Sequence, residues 1–155
     1  MFRILFKITF CCLLSFTFVT CSKEIPPNVI FILTDDQGYG DLGIYGASDV
    51  NTPNIDSIAK KGAYFTSYYS TQPVCSASRA SILTGCYPDR LGVFNAYSPG
   101  SKVGLNPDET TIAELLKANG YNTAIFGKWH LGEGKNHEPT GFDFWSVLPL
   151  SLIHI

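Results

Sequence analysis

The sequence predicts an α/β domain with a mostly parallel sheet flanked by helices, and three observations predict it. Residues 28–34 read Asn-Val-Ile-Phe-Ile-Leu-Thr, a continuous β-branched and aromatic run of the kind carried by a strand buried on both faces. Residues 106–119 form a helical pattern closed by Gly120, and residues 121–126 return to an apolar strand-like run. This is β-α-β order, which implies a parallel pair. The residues that carry chemistry follow directly on these strand ends, at the carboxyl edge where open α/β sheets bind ligands.

Taken in order, residues 1–21 begin with Arg3 and Lys7 and continue through an apolar run, as a secretory leader does. The run is too short to span a bilayer comfortably. Phe18-Val19-Thr20-Cys21 has the outline of a lipobox, so cleavage before Cys21 would expose a cysteine for lipid attachment and membrane anchoring, with residues 22–27 as a linker. The alternative is simple secretion. The chain has 155 residues, 11 basic and 13 acidic, for a net charge of −2. Without the leader, nine basic residues face 13 acidic ones, and no Lys/Arg cluster offers a footprint for a phosphate backbone, which excludes a nucleic-acid binder. Of five cysteines, Cys11, Cys12 and Cys21 belong to the leader and anchor. A helix between Cys75 and Cys86, rising about 1.5 Å per residue, separates them by more than the roughly 7 Å limit for a disulfide.

Asp35 and Asp36 follow the first strand at once. Two adjacent carboxylates so placed need a cation, and hard oxygen donors suit Ca²⁺ or Mg²⁺ better than zinc. A solvated loop start is the bland reading of the same pair. Residues 38–43, Gly-Tyr-Gly-Asp-Leu-Gly, match G-x-G-x-x-G in form only, because loop residues follow where a helix would have to receive the phosphates. Residues 53–61 read as a helix stopped by Gly62, and residues 63–66 as a short strand. The stretch Gln72 to Gly85 places Cys75 just before a short helix, with Arg79 one turn along on the same side, a positive setting that favours an anion. In the helix over 106–119, Ile112, Leu115 and Leu116 form the expected buried stripe. Beyond the second strand, Lys128 and His130 stand two apart between Gly127 and Gly132, so an extended segment would put them on one face. A surface lysine beside a core-capping histidine is the structural alternative.

Asp35-Asp36-x-Gly-x-Gly-Asp41, then Cys75-x-Ala77-x-Arg79 with Leu83-Thr84-Gly85, then Gly127-Lys128-Trp129-His130-Leu131-Gly132, resemble in order and spacing the N-terminal part of a type I, formylglycine-dependent sulfatase. The resemblance runs from about residue 28 to residue 144 and implies an alkaline-phosphatase-like sulfatase fold, incomplete here. It implies that Cys75 is oxidised to Cα-formylglycine by a maturation enzyme, and that the hydrate is the nucleophile toward a sulfate ester of a small molecule or glycan. It also implies Asp35, Asp36 and the group at Cys75 as ligands of Ca²⁺ in preference to Mg²⁺. Arg79 would hold the nucleophile, Lys128 would neutralise sulfate oxygens, and His130 would orient or relay a proton. Cys86-Tyr87-Pro88-Asp89-Arg90 fits the bare C-x-P-x-R pattern, with proline where the Cys75 motif has Ala77, but it lacks the downstream Leu-Thr-Gly and falls past the helix C-terminus.

The family's later Asp-Asn metal pair, second histidine and second lysine have no counterpart in these 155 residues. Residues 28–146 therefore read as the N-terminal portion of a catalytic domain, and residues 147–155 as a non-native or truncated tail, the chain alone being inactive. The competing readings are a phosphonate or phosphodiester hydrolase of the same superfamily and a lipid-anchored, inactive binding protein.

Overall fold

The computed structural model describes residues 25–148, so the leader, Cys21 and the end of the tail lie outside the described residues. The chain divides after Ala63 into two compact units. In the first, residues 28–34 belong to no strand and are exposed, Ile30 at 85 % and Ile32 at 76 %. This corrects the expected first strand. An apolar run encodes the wish to be buried, but a parallel strand also needs a hydrogen-bonded neighbour, and the sheet among the described residues has only two members, neither of them this run. Residues 63–66, expected as a short strand, form none either.

The glycine-rich loop folds into two 3-10 turns, Tyr39–Asp41 and Gly43–Tyr45, ahead of helix α1, Pro53–Lys61. The bounds of α1 are those its sequence predicts, with proline in the first turn, where its missing N–H costs nothing. Thr52 and Asp56 lock the loop to the helix. The Gly43 amide donates to Thr52 Oγ1 at 2.8 Å, while the Thr52 hydroxyl and the Ile44 amide donate to Asp56 Oδ1 at 2.9 and 3.0 Å. Glycine at 43 lets the loop approach this carboxylate, since a Cβ there would meet Asp56 Oδ2 at 2.5 Å and displace it.

The second unit holds helix α2, Cys75–Thr84, ended by Gly85 in the left-handed conformation, and the short helix α3, Pro88–Leu91, which the sequence reading missed. Helix α4 spans Ile112–Ala118 rather than 106–119. The Asn106 side chain accepts from the Asp108 amide at 3.1 Å, a turn that competes with helix, whereas Thr111 and Glu114 form a reciprocal capping box five residues on. The expected stripe is corrected in part: Ile112 and Leu115 are exposed, Leu116 is half-buried, and Ala113 is the fully buried contact.

Strand β1, Ala124–Lys128, pairs in parallel with β2, Phe144–Leu148, in the register Ala124↔Phe144 to Lys128↔Leu148. The parallel pair is thus real but has a partner other than the one expected. Strand β2 includes Val147 and Leu148, the first residues of the stretch that the sequence reading sets apart. The core joins Ala77 and Ala80 of α2 to Val93, Leu105, Trp129 and Leu131, so it lies between α2 and the carboxyl end of β1.

Asp143 closes the β1-to-β2 connection. Its carboxylate accepts from the Thr123 amide at 2.9 Å and pairs with Lys117 of α4 at 2.5 Å. Lys117 first, then the Thr123 amide, lower its pKa from 3.8 to about 2. A carboxyl depressed in the folded state contributes stability that is present above the unfolded pKa and lost as pH falls through the folded one. Acid titration of unfolding should therefore show a loss of stability between pH 3.8 and about 2 that Asp143→Asn abolishes, and an unchanged acid limb in the variant would disprove the latch.

Candidate active site

Helix α2 begins where its sequence stops being extended. Val74 is in β conformation, and the first bond of the helix runs from the Ser78 amide to the Val74 carbonyl at 3.0 Å. The amides ahead of that bond lie outside the helical ladder and point out of the N-terminus. Cys75 is the first helical residue and is half-buried, while Ser76 behind it is fully buried. Cys75 and Cys86 are both free thiols, as the spacing requires.

Two side chains of α2 attach this helix to the end of β1. Arg79 Nη1 donates to the carbonyl of Lys128, the last strand residue, at 2.8 Å. The Ser76 hydroxyl donates to the His130 carbonyl at 2.6 Å and accepts from the Tyr97 amide at 3.0 Å. His130 Nε2 lies 2.8 Å from the Tyr97 carbonyl. Trp129 is buried, and its indole N–H donates to the His137 carbonyl at 2.8 Å. The structure thus brings residues 75–79 and 128–130 together, with the 97 backbone as a third wall. Burial pushes the Tyr97 phenol up, consistent with a ring packed on the core.

The Lys128–His130 segment is not extended, as the spacing argument assumed. The strand ends at Lys128 and His130 takes φ 57, a left-handed conformation uncommon outside glycine. His130 is 4 % exposed, and its Nδ1 has no hydrogen-bond partner among the described residues. The Leu131 carbonyl accepts the Leu105 amide just beyond, at 3.0 Å.

Asp35 and Asp36 lie in the first unit, both exposed, with Asp36 at φ 54. Their oxygens are the right donors for a hard cation, though two residues make only part of a shell of about six to eight oxygens. No group of three His, Cys, Asp or Glu residues gathers as a metal site among the described residues. Cys86 stands just beyond the Gly85 cap, its thiol 3.6 Å from the Thr84 carbonyl and beside Arg90. Arg90 also pairs with Glu109, and both neighbours raise its pKa.

Sequence reasoning missed Ser76, and it read residues 96–100 as at most one wall of the pocket, with no role for the Tyr97 backbone. Ser76 occupies a variable position of the cysteine motif, and its only signal is a small hydroxyl in the first turn of a helix whose Ala77 and Ala80 are small enough for close packing. Tyr97 contributes backbone atoms, which no residue pattern reports.

A family model described as Sulfatase matches residues 27–151. The chain is 48 % identical over 134 residues to N-acetylgalactosamine-6-sulfatase of Canis lupus familiaris, covering 80 % of this chain and 26 % of that protein. It is 50 % identical over 110 residues to arylsulfatase A of Bos taurus, covering 70 % of this chain and 22 % of the relative. A solved structure in complex with its substrate D-glucosamine-2-N,6-O-disulfate superposes with a TM-score of 0.70 at 39 % identity, over 79 % of this chain and 23 % of that one. The chain spans about a quarter of the length of the curated relatives it matches.

The Arg79 tie makes a direct prediction. Arg79→Met keeps the stem and removes the donors, and should lower the unfolding free energy by about 1.5–3 kcal/mol in a denaturant titration, the usual worth of a hydrogen bond from a charged group. A change below about 0.5 kcal/mol would mean that the guanidinium does not hold α2 to β1.

Proposed function

The chain belongs to the sulfatase family, and from that premise we propose that it carries the nucleophile-bearing part of a sulfuric ester hydrolase acting on sulfated carbohydrates. The observation that carries the reading is the meeting of the Cys75 helix, through Ser76 and Arg79, with the Lys128–His130 end of β1. The carbohydrate class is supported by relatives whose names and bound substrate are sulfated amino sugars. The retained alkaline-phosphatase-like architecture is supported by the parallel β1–β2 pair with helices around it.

Each residue then has a chemical task. A maturation enzyme would oxidise Cys75, replacing its sulfur and two hydrogens by one oxygen. Formylglycine supplies, as its hydrate, two hydroxyls on one carbon, so that one can attack sulfur and the other can later expel sulfate. The position of Cys75 at the start of α2 keeps this group in the favourable field of a helix N-terminus, where an anionic ester is welcome. Arg79 adds positive charge one turn below and stays in place through the Lys128 carbonyl. Lys128 would set its ammonium against sulfate oxygens as negative charge moves onto the leaving group. His130, shielded from water, would move a proton at the nucleophile. Asp35 and Asp36 would hold Ca²⁺, which supplies positive charge for the sulfate group.

Peptide mass spectrometry of the exported protein should find the aldehyde at Cys75, and the full-length sulfatase that carries this chain should release inorganic sulfate from sulfated oligosaccharides. Cys75→Ala should lower that release by a factor of about 10³ or more. Sulfate release with Cys75 still a thiol, or an aldehyde at Cys86 instead, would sink the assignment.

The leader pattern of residues 1–21 supports export, to the periplasm or outer membrane if Cys21 is lipidated and to the medium if not. No helix among the described residues is long and apolar enough to cross a membrane. Labelling with a radioactive fatty acid tests the anchor. Cys21→Ala should lose the label and leave the membrane fraction, and an unlabelled wild-type protein would rule the anchor out.

A further inference from the structure

We propose that Ser76 is a positioning residue that assigns the two ring nitrogens of His130, tying up Nε2 and leaving Nδ1 as the nitrogen that takes the proton. The assignment rests on three hydrogen bonds that close on themselves. The Ser76 hydroxyl donates to the His130 carbonyl at 2.6 Å, the Tyr97 amide donates to Ser76 Oγ at 3.0 Å, and His130 Nε2 meets the Tyr97 carbonyl at 2.8 Å. A carbonyl oxygen only accepts, so Nε2 must carry hydrogen. In the neutral ring, Nδ1 is then a bare lone pair. It is also the one buried side-chain polar atom without a partner among the described residues. A buried lone pair left open is costly unless something comes to use it.

Ser76 is what makes the closure hold. It is fully buried, and its single oxygen serves two segments, the backbone at 130 and the backbone at 97. Through them it fixes the His130 main chain in its left-handed turn and sets the Tyr97 carbonyl at the distance Nε2 needs. Because Ser76 is adjacent to Cys75, the device that orients the base is covalently next to the residue it would serve. This inference rests on the function proposed above only for the use to which the lone pair is put.

The test is the ring tautomer, read by histidine ¹⁵N chemical shifts in the full chain, with His130 assigned by the loss of its signals in His130→Gln. The Cys75→Ala form is also measured, so that the readout is independent of maturation. The wild-type protein should show hydrogen on Nε2 and a bare Nδ1 at neutral pH. Ser76→Ala should give a mixture of tautomers, and Ser76→Thr, which keeps the hydroxyl, should restore the single one. The signals of His137, whose ring lies against the carbonyls of Leu105 and Lys102, report whether each variant is folded. In protein that turns over a sulfate ester, Ser76→Ala should lower kcat on the order of tenfold with KM within about twofold, the pattern of a misplaced proton acceptor. Hydrogen on Nδ1 in the wild type would overturn the proposal, as would an unchanged tautomer in folded Ser76→Ala. A Ser76-dependent Nε2–H tautomer, in a full-length parent protein that carries the aldehyde yet releases no sulfate, supports the assignment and counts against the sulfatase reading instead.

Discussion

One buried hydroxyl organises the second unit. Ser76 has no exposure, and without its two bonds the Tyr97 amide and the His130 carbonyl would be left in a dry interior with nothing to pair with. Each such bond is worth only about 1 kcal/mol net, but leaving a buried partner unmet costs about 1–3 kcal/mol. That asymmetry makes the small contact decisive. It holds three distant stretches of chain, near residues 76, 97 and 130, at one point. The guanidinium of Arg79 repeats the tie one turn further along, on the Lys128 carbonyl. With both in place, the first two turns of α2 are registered against the end of β1.

The elements that could be read from sequence are those decided by local chemistry. Pro53 and Gly62 bracket α1, and Gly85 ends α2 in the left-handed conformation, because proline is at home in a first turn and glycine accepts stops that other residues resist. What escaped reading depends on distant partners or on competing caps. The run 28–34 has the composition of a buried strand without a ladder in the described structure. The start of α4 was settled by Thr111 and Glu114 over Pro107, a contest between two plausible beginnings. Strand β2 begins at Phe144, beside the Asp143 carboxylate, whose bonds to Thr123 and Lys117 are invisible in one dimension.

The candidate site divides the same way. Cys75, Arg79, Lys128 and His130 were legible because reactive or charged side chains at element ends stand out against a chain with only 15 % charged residues. Their support was not. Ser76 looks like any small residue, and the Tyr97 contribution comes from its peptide group. The Cys86 motif shows the converse: its thiol and Arg90 do lie together, yet Arg90 is also engaged by Glu109 and the pair follows the Gly85 cap. A Cys-x-x-x-Arg spacing thus occurs at both ends of one helix, in opposite electrostatic settings.

The small residues on the inner face of α2 have a thermodynamic consequence. Ala77 and Ala80 are wholly buried and possess no side-chain torsions that could be lost or regained. At these two residues the contact with the core is consequently set by backbone approach, with no alternative rotamers to sample there. A ligand arriving at the N-terminus of α2 would find little disorder left there to remove. The entropy of arranging the helix has already been spent in folding, so affinity at this end should be limited by charge and desolvation rather than by local ordering.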